Sequence, residues 1–346
     1  MGFLRNDENK VRFSLSKTAR LIVKEDMRIF SIEKEGTIVN LILRNFHETS
    51  KATITQYLDR IREHYERIFE GLKIDEKLKN QVIEHLLKKE RYEVELCLRQ
   101  YLSEREESKI YRINNNNFEF LENEFVDNKF YNEKAGLYVK CLIEEYARLP
   151  FMKRVRIIKK DIFTMIEDAI ELEKLLKVTV KIDNKDVCLE VYPYKILSDP
   201  LNTQEYLACY TKKKEESSKE KRVASFSIIR LEKVSRLNQK SFLSKEEIKK
   251  IENDIENLTV AFLLGEKKQI HVYLTETGKK FYQSRLHMRP EKDNDNSGDD
   301  VYVFNCSELQ AYNYFFSFGA EAEIIEPASL RNKLKCAYED ALKRYS

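Results

Sequence analysis

At 346 residues the chain exceeds one small core and fits two or three domains. Its 62 basic residues stand against 59 acidic ones, a net charge of +3, so nucleic-acid binding would have to come from local patches rather than from overall charge. With 42% apolar and 35% charged residues, packed cores under a solvated surface are expected, and no apolar run reaches the ~18 residues of a membrane span.

The opening, Met1–Lys10, is polar and mixed in charge, unlike a secretory signal, and a cytoplasmic location is expected. Alternation follows: Val11, Phe13 and Leu15 are apolar, while Arg12, Ser14 and Ser16 fall on the other side of a short strand. The spacing predicts a helix to about Phe30, a turn at Gly36, and a second helix carrying Ile38, Leu41, Ile42 and Phe46 on one face. This layout, over residues 1–50, resembles a ribbon-helix-helix unit. The resemblance implies strands that pair across a dimer, with Arg12, Ser14 and Ser16 facing a DNA major groove. Only Arg12 is charged, so a ribbon used for dimerisation alone is the other reading.

Residues 51–107 are helical and charge-rich, with Ile54, Tyr57, Leu58, Ile61, Tyr65 and Ile68 in one apolar stripe. Shifting the sequence by one hundred positions lays Val11-Arg12-Phe13 on Tyr111-Arg112-Ile113, Phe30 on Phe130, Gly36 on Gly136 and Leu41-Ile42-Leu43 on Cys141-Leu142-Ile143. Residues 108–150 are read as a second, degenerate strand-helix-helix unit, able to pair with the first inside one chain. The opposing reading is that apolar helices align with each other easily. After Pro150, the basic linker helices of residues 151–177 begin with Lys153-Arg154-Val155-Arg156-Ile157-Ile158-Lys159-Lys160, which has no acid. On one helix Lys153, Arg156 and Lys160 share a face, either solvated or in contact with phosphate.

No catalytic pattern is present. The sequence has no phosphate loop ending in Gly-Lys-Ser/Thr, no His-Glu-x-x-His and no Gly-x-Ser-x-Gly. The five histidines (His47, His64, His85, His271, His287) are scattered, and the first three are expected on the surface. The six cysteines (Cys97, Cys141, Cys188, Cys209, Cys306, Cys336) lie far apart and are expected as buried apolar groups, without metal or redox pairing. No cofactor is expected, and binding is favoured over catalysis.

From Val178 strands take over. Val178, Val180 and Ile182 alternate, Asp183-Asn184 turns, and Val187, Leu189 and Val191 resume. Pro193–Leu197, the loop Ser198-Asp199-Pro200, the strand Glu205–Tyr210, the charged loop Lys212–Arg222 and the strand Phe226–Leu231 complete a small antiparallel barrel, residues 178–258 with its helix. Pro193-Tyr194, then Glu205-Tyr206-Leu207-Ala208-Cys209-Tyr210, then Ile229-Arg230-Leu231-Glu232-Lys233-Val234 resemble a WYL domain. Residues 259–346 resemble the C-terminal extension that follows it. Ser244-x-x-Glu247 and Ser307-x-x-Gln310 have capping-box spacing, Gly319 stands where a helix should stop, and Pro290–Asp300 reads as a mobile loop.

The WYL resemblance implies an Sm/SH3-like barrel with a basic pocket for nucleic acid or another anion. Tyr206 and Arg230 match its motif, and Tyr194, Tyr210 and Lys233 are neighbours. A tyrosine ring beside a guanidinium suits a base and its phosphate, with stacking worth ~1–3 kcal/mol per base. Core packing for Tyr206 and an ion pair for Arg230 are the structural alternatives. Glu205 replaces the family's tryptophan and Lys233 its second arginine, two departures from the family's pocket. Taken together, the fold class is α+β multidomain: a ribbon-helix-helix-like and helical N-terminal region, an Sm/SH3-like WYL barrel, and an α/β extension expected to dimerise. Head and tail together resemble the WYL accessory proteins of type VI-D CRISPR systems. That implies a homodimer that binds single-stranded RNA and modulates an RNA-targeting effector nuclease. A DNA-binding transcription regulator with a ligand-sensing barrel is the alternative.

Overall fold

The computed structural model describes residues 9–72, 74–104, 106–182, 185–199, 204–212, 221–258, 263, 267–286 and 288–345. The expected Asp183-Asn184 turn, Pro200, most of the Lys212–Arg222 loop, His287 and the first eight residues lie outside them. The chain divides into two compact units, residues 1–160 and 161–346.

The first unit opens with β1 (Lys10–Ser14), α1 (Lys17–Ile29) and α2 (Glu35–Phe46). The helical hairpin α3 (Ile54–Phe69) and α4 (Glu76–Ser103) follows. Then come β2 (Ser108–Arg112), the short α5 (Asn115–Glu119), a π-turn, α6 (Ala135–Arg148) and α7 (Phe151–Ile158). Strand-helix-helix therefore occurs twice, and β1 pairs antiparallel with β2, Val11 opposite Tyr111 and Arg12 opposite Ile110. Val11, Phe13 and Leu15 are buried as the alternation predicts. Gly36 and Gly136 lie in the first turn of α2 and α6 rather than in the turns before them, because each helix starts one residue earlier.

Helix α6 is the axis of this unit, buried on nearly every side. Two of its buried residues, Lys140 and Glu144, carry charge, and each is matched as burial demands. The Lys140 ammonium donates to the carbonyls of Ser14 and Glu104. The Glu144 carboxylate accepts from the Ser16 N–H (2.5 Å), the Ser16 hydroxyl (2.9 Å) and Arg148 (2.6 Å). Of the α3 stripe, Ile54 and Leu58 are buried, Tyr57, Ile61 and Tyr65 pack on the core edge, and Ile68 faces outward. His47 is half-buried, its ring 4.2 Å from that of Phe120, and is not the plain surface residue expected.

The second unit begins with α8 (Lys160–Glu171) and a five-stranded sheet: β3 (Lys174–Ile182), β4 (Lys185–Ser198), β5 (Glu205–Lys212), β6 (Lys221–Ser227) and β7 (Leu231–Lys240). Its order is β6-β5-β4-β3-β7, with antiparallel neighbours throughout. Ile228–Arg230 is a 3-10 turn joining β6 to β7, where continuous strand was expected. Among the described residues no pairing joins β6 to β7, so the sheet has two edges rather than a closed wall. Helix α9 (Lys245–Leu258) starts at the expected capping box: Ser244 Oγ accepts from the Glu247 N–H, and Glu247 accepts from the Ser244 N–H at 2.8 Å.

A four-stranded antiparallel sheet completes the unit in the order β11-β8-β10-β9, from β8 (Lys267–Leu274), β9 (Lys292–Asp293), β10 (Val301–Ser307) and β11 (Ala322–Glu326). It packs with α10 (Glu276–Ser284), α11 (Glu308–Phe315) and α12 (Ala328–Leu342) around Phe304, Phe315 and Leu330. Ser307 caps α11, and Gly319 takes φ 59° where the helical stretch ends. The acidic loop expected to be mobile is folded around Asp293, whose carboxylate accepts from the backbone of Asp295 and Asn296 and the side chains of Asn296 and Asn305. All six cysteines are free, but Cys188 and Cys336 are exposed, against the expectation of burial. Among the described residues no helix is long and apolar enough to cross a membrane.

Candidate nucleic-acid-binding surfaces

In the second unit, β5 is an interior strand of the sheet, between β6 and β4, and residues on both of its faces are buried. Tyr206, Ala208 and Tyr210 share one face, which α9 covers with Ile251 and Ile255, while Tyr192 and Tyr194 pack at the rim. Tyr210 is 2% exposed and donates to the Glu247 carbonyl at 2.8 Å. Burial first, then Glu247 and Asp254, pushes its phenol up to about 12. Tyr206 is 9% exposed and donates to Gln204 at 3.3 Å. Its phenol is raised by burial and by Asp199, against the pull of Arg230. Tyr194 donates to Glu252 at 2.8 Å. The rings expected as stacking platforms are thus packed under a helix with their hydroxyls committed, which corrects the sequence expectation for Tyr206 and Tyr210. Alternation shows which face a residue takes, not whether a later helix covers that face.

The cations of the motif stay outside. Arg230 is exposed at the tip of the 3-10 turn, near enough to Tyr206 to act on its phenol. Lys233 is exposed on β7 opposite Thr179. The same face of β3 carries exposed Lys177, which the sequence reading did not single out. Glu205 is buried at the start of β5, opposite Ser198.

In the first unit the ribbon's outer face carries Lys10, Arg12 and Ser14 on β1 and Ser108, Ile110 and Arg112 on β2. Its inner face stacks Phe13 on Tyr111 at 4.6 Å. Ser16 is not on the outer face as expected. It is buried as the N-cap of α1, its hydroxyl accepting from the Ala19 N–H, so the helix start overrides the strand alternation. Arg112, passed over as a site residue, was available from the hundred-residue shift that lays it on Arg12. Beside the ribbon lies an open cavity of about 670 Å³, lined by the first turns of α2 and the end of β2.

The basic stretch after Pro150 is divided. Lys153 and Arg156 are exposed on α7, but the helix ends at Ile158 and Lys160 opens α8, where it pairs with Glu48 at 3.1 Å. The single cationic face expected from one continuous helix is therefore broken. Arg154 turns inward and holds the fully buried Asp26 through two bonds of 2.8 and 3.2 Å.

Residues 267–342 match the WCX domain, the extension associated with WYL domains. Along nearly its whole length the chain is similar to a solved structure titled "Crystal structure of a CRISPR Cas-related protein". The TM-score is 0.75 at 22% identity, over 99% of this chain and 97% of that one. Proteasome accessory factor B/C (PafBC) of Arthrobacter aurescens overlaps at 14% identity, over 69% of this chain and 37% of its own, with a TM-score of 0.27. No curated protein matches the sequence.

Proposed function

We propose, from a chain that ends in a WCX domain and folds like a CRISPR Cas-related protein, that this is a CRISPR-associated regulator of the WYL type, acting by binding rather than catalysis. It takes up single-stranded RNA and modulates an RNA-targeting effector nuclease, as a cytoplasmic homodimer joined through the extension. The end-to-end fold match is the observation that carries this reading.

The sheet supports its WYL part. A four-strand meander whose fifth strand returns to the first has the strand order of a small Sm/SH3-like barrel opened between β6 and β7. Exposed Arg230, Lys233 and Lys177 offer phosphate contacts on this element without the tyrosine rings. The β1–β2 pairing favours a ribbon-helix-helix-like head completed within one chain. Its outer Lys10, Arg12 and Arg112 favour, as a second reading, a regulator of duplex DNA, since a two-stranded ribbon fits the major groove. Affinities for one sequence as single-stranded RNA, single-stranded DNA and duplex DNA, at fixed salt, separate the two. RNA is expected to bind tightest; a preference for duplex DNA sinks the RNA reading.

A further inference from the structure

We infer that the cavity at the foot of α2 binds one phosphate-bearing nucleotide, in a different unit from Arg230 and Lys233. The volume of about 670 Å³ lies inside the ~300–1,000 Å³ span of small-ligand sites. Lys34, Arg44 and Arg112 line it, none of its lining residues is acidic, and Leu41 supplies an apolar wall for a base or ribose.

The cavity exists because the two strand-helix-helix units differ at equivalent points. At the first turn of α6, Gly136 lies against the Arg12 carbonyl so closely that a Cβ would sit well under 3.0 Å from its oxygen. The corresponding approach of Gly36 to Arg112 does not occur, and a Cβ on Gly36 would meet nothing within 4 Å. The Arg112 carbonyl is instead taken by the Asn40 amide at 2.9 Å. The same amide donates to the Gly36 carbonyl at 2.7 Å, while its oxygen accepts from the Asn114 N–H at 2.8 Å and from Asn117 at 3.0 Å. Four bonds on one side chain fix the cavity wall in place, so a ligand would find it already formed.

The electrostatics favour phosphate. Lys34, the N-cap of α2, lines the cavity with Gly36 and Thr37, so the positive end of the helix lies there beside the cations, while Glu35 of the same turn is paired with Lys109. Gly36, with no side chain, lets a phosphate approach the backbone. The ligand class follows the RNA-binding reading; the site does not depend on Arg230 or Lys233.

The test uses the full chain with uridine 5′-monophosphate, uridine and a fluorescent oligouridylate. Amide exchange is expected to slow on the monophosphate at residues 34–41 and 112–115, with uridine far weaker. Gly36→Leu fills the cavity from open space and should weaken the monophosphate about tenfold or more while thermal stability holds or rises. Arg112→Gln should weaken the oligouridylate and lower its salt slope by about 0.7. Absence of protection at these segments, or wild-type monophosphate affinity in Gly36→Leu, overturns the inference. If the monophosphate protects the cavity but no oligouridylate binds, the inference stands and the RNA reading fails. If the oligouridylate responds to Arg230→Ala and to neither cavity variant, the reverse holds.

Discussion

Placing alanine at the two equivalent glycines should move stability in opposite directions. At Gly36 a Cβ meets nothing within 4 Å, and the residue sits in the first turn of α2. Gly36→Ala therefore gains only helix propensity, about 0.5 kcal/mol. At Gly136 the Cβ would press on the Arg12 carbonyl, about an ångström inside the ~3.3 Å of an ordinary C···O contact. The obstacle is backbone, held in the β1–β2 ladder, and cannot swing aside as a side chain would. Overpacking of this kind costs about 1–3 kcal/mol, and a backbone clash belongs at the upper end. Less the small propensity gain, Gly136→Ala should be about 2 kcal/mol less stable than the parent, a split near 2.5 kcal/mol between the variants. Urea unfolding followed by amide exchange at β1 and β2 reads this unit separately from the other. Equal effects in the two variants, or a stabilising Gly136→Ala, would refute the asymmetry on which the open cavity rests.

Arg154→Met leaves Asp26 fully buried with the Tyr146 hydroxyl, at 2.6 Å, as its remaining side-chain donor. A loss of about 3–5 kcal/mol is expected in urea titrations, partly recovered by adding Asp26→Asn; a loss under about 1 kcal/mol contradicts the pairing. Glu35 accepts from Lys109 through both oxygens at 3.0 Å and from Tyr111 at 3.2 Å. Burial works to raise its carboxyl, but Lys109 and Tyr111 outweigh it and the net shift is downward. Its contribution is thus present above the ordinary carboxylate range and lost as pH falls through the lowered value. The stability gap between the parent and Glu35→Gln should shrink on acidification, and a pH-independent gap rejects the assignment. Arg230→Ala should weaken single-stranded RNA binding and lower its salt slope by about 0.7, read by fluorescence anisotropy across a salt series. Unchanged affinity moves the contact away from the 3-10 turn.

Local signals in the sequence were legible where local physics decides the outcome. Alternation at Val11, Phe13 and Leu15 gave the buried side of β1, and the Ser244 and Ser307 caps form as their spacing predicts. The hundred-residue shift placed Gly136 and Arg112, although β1 and β2 meet only through the folded chain. What escaped depends on partners far away in sequence. Arg154 is buried because Asp26 reaches it, Ser16 because Glu144 does, and Tyr206 and Tyr210 because α9 closes over β5. The same dependence separates the two strand-helix-helix units. Position 140 is a lysine long enough to reach the carbonyls of Ser14 and Glu104, whereas its counterpart, Asn40, is short and holds the Arg112 carbonyl beside its own helix. One helix start is thereby closed on the ribbon at Gly136 and the other stays open at Gly36. The two units thus share their order of elements but are one-sided in chemistry. One-sidedness suits a single strand, which presents one phosphate track, better than a palindromic duplex, which presents two equivalent ones.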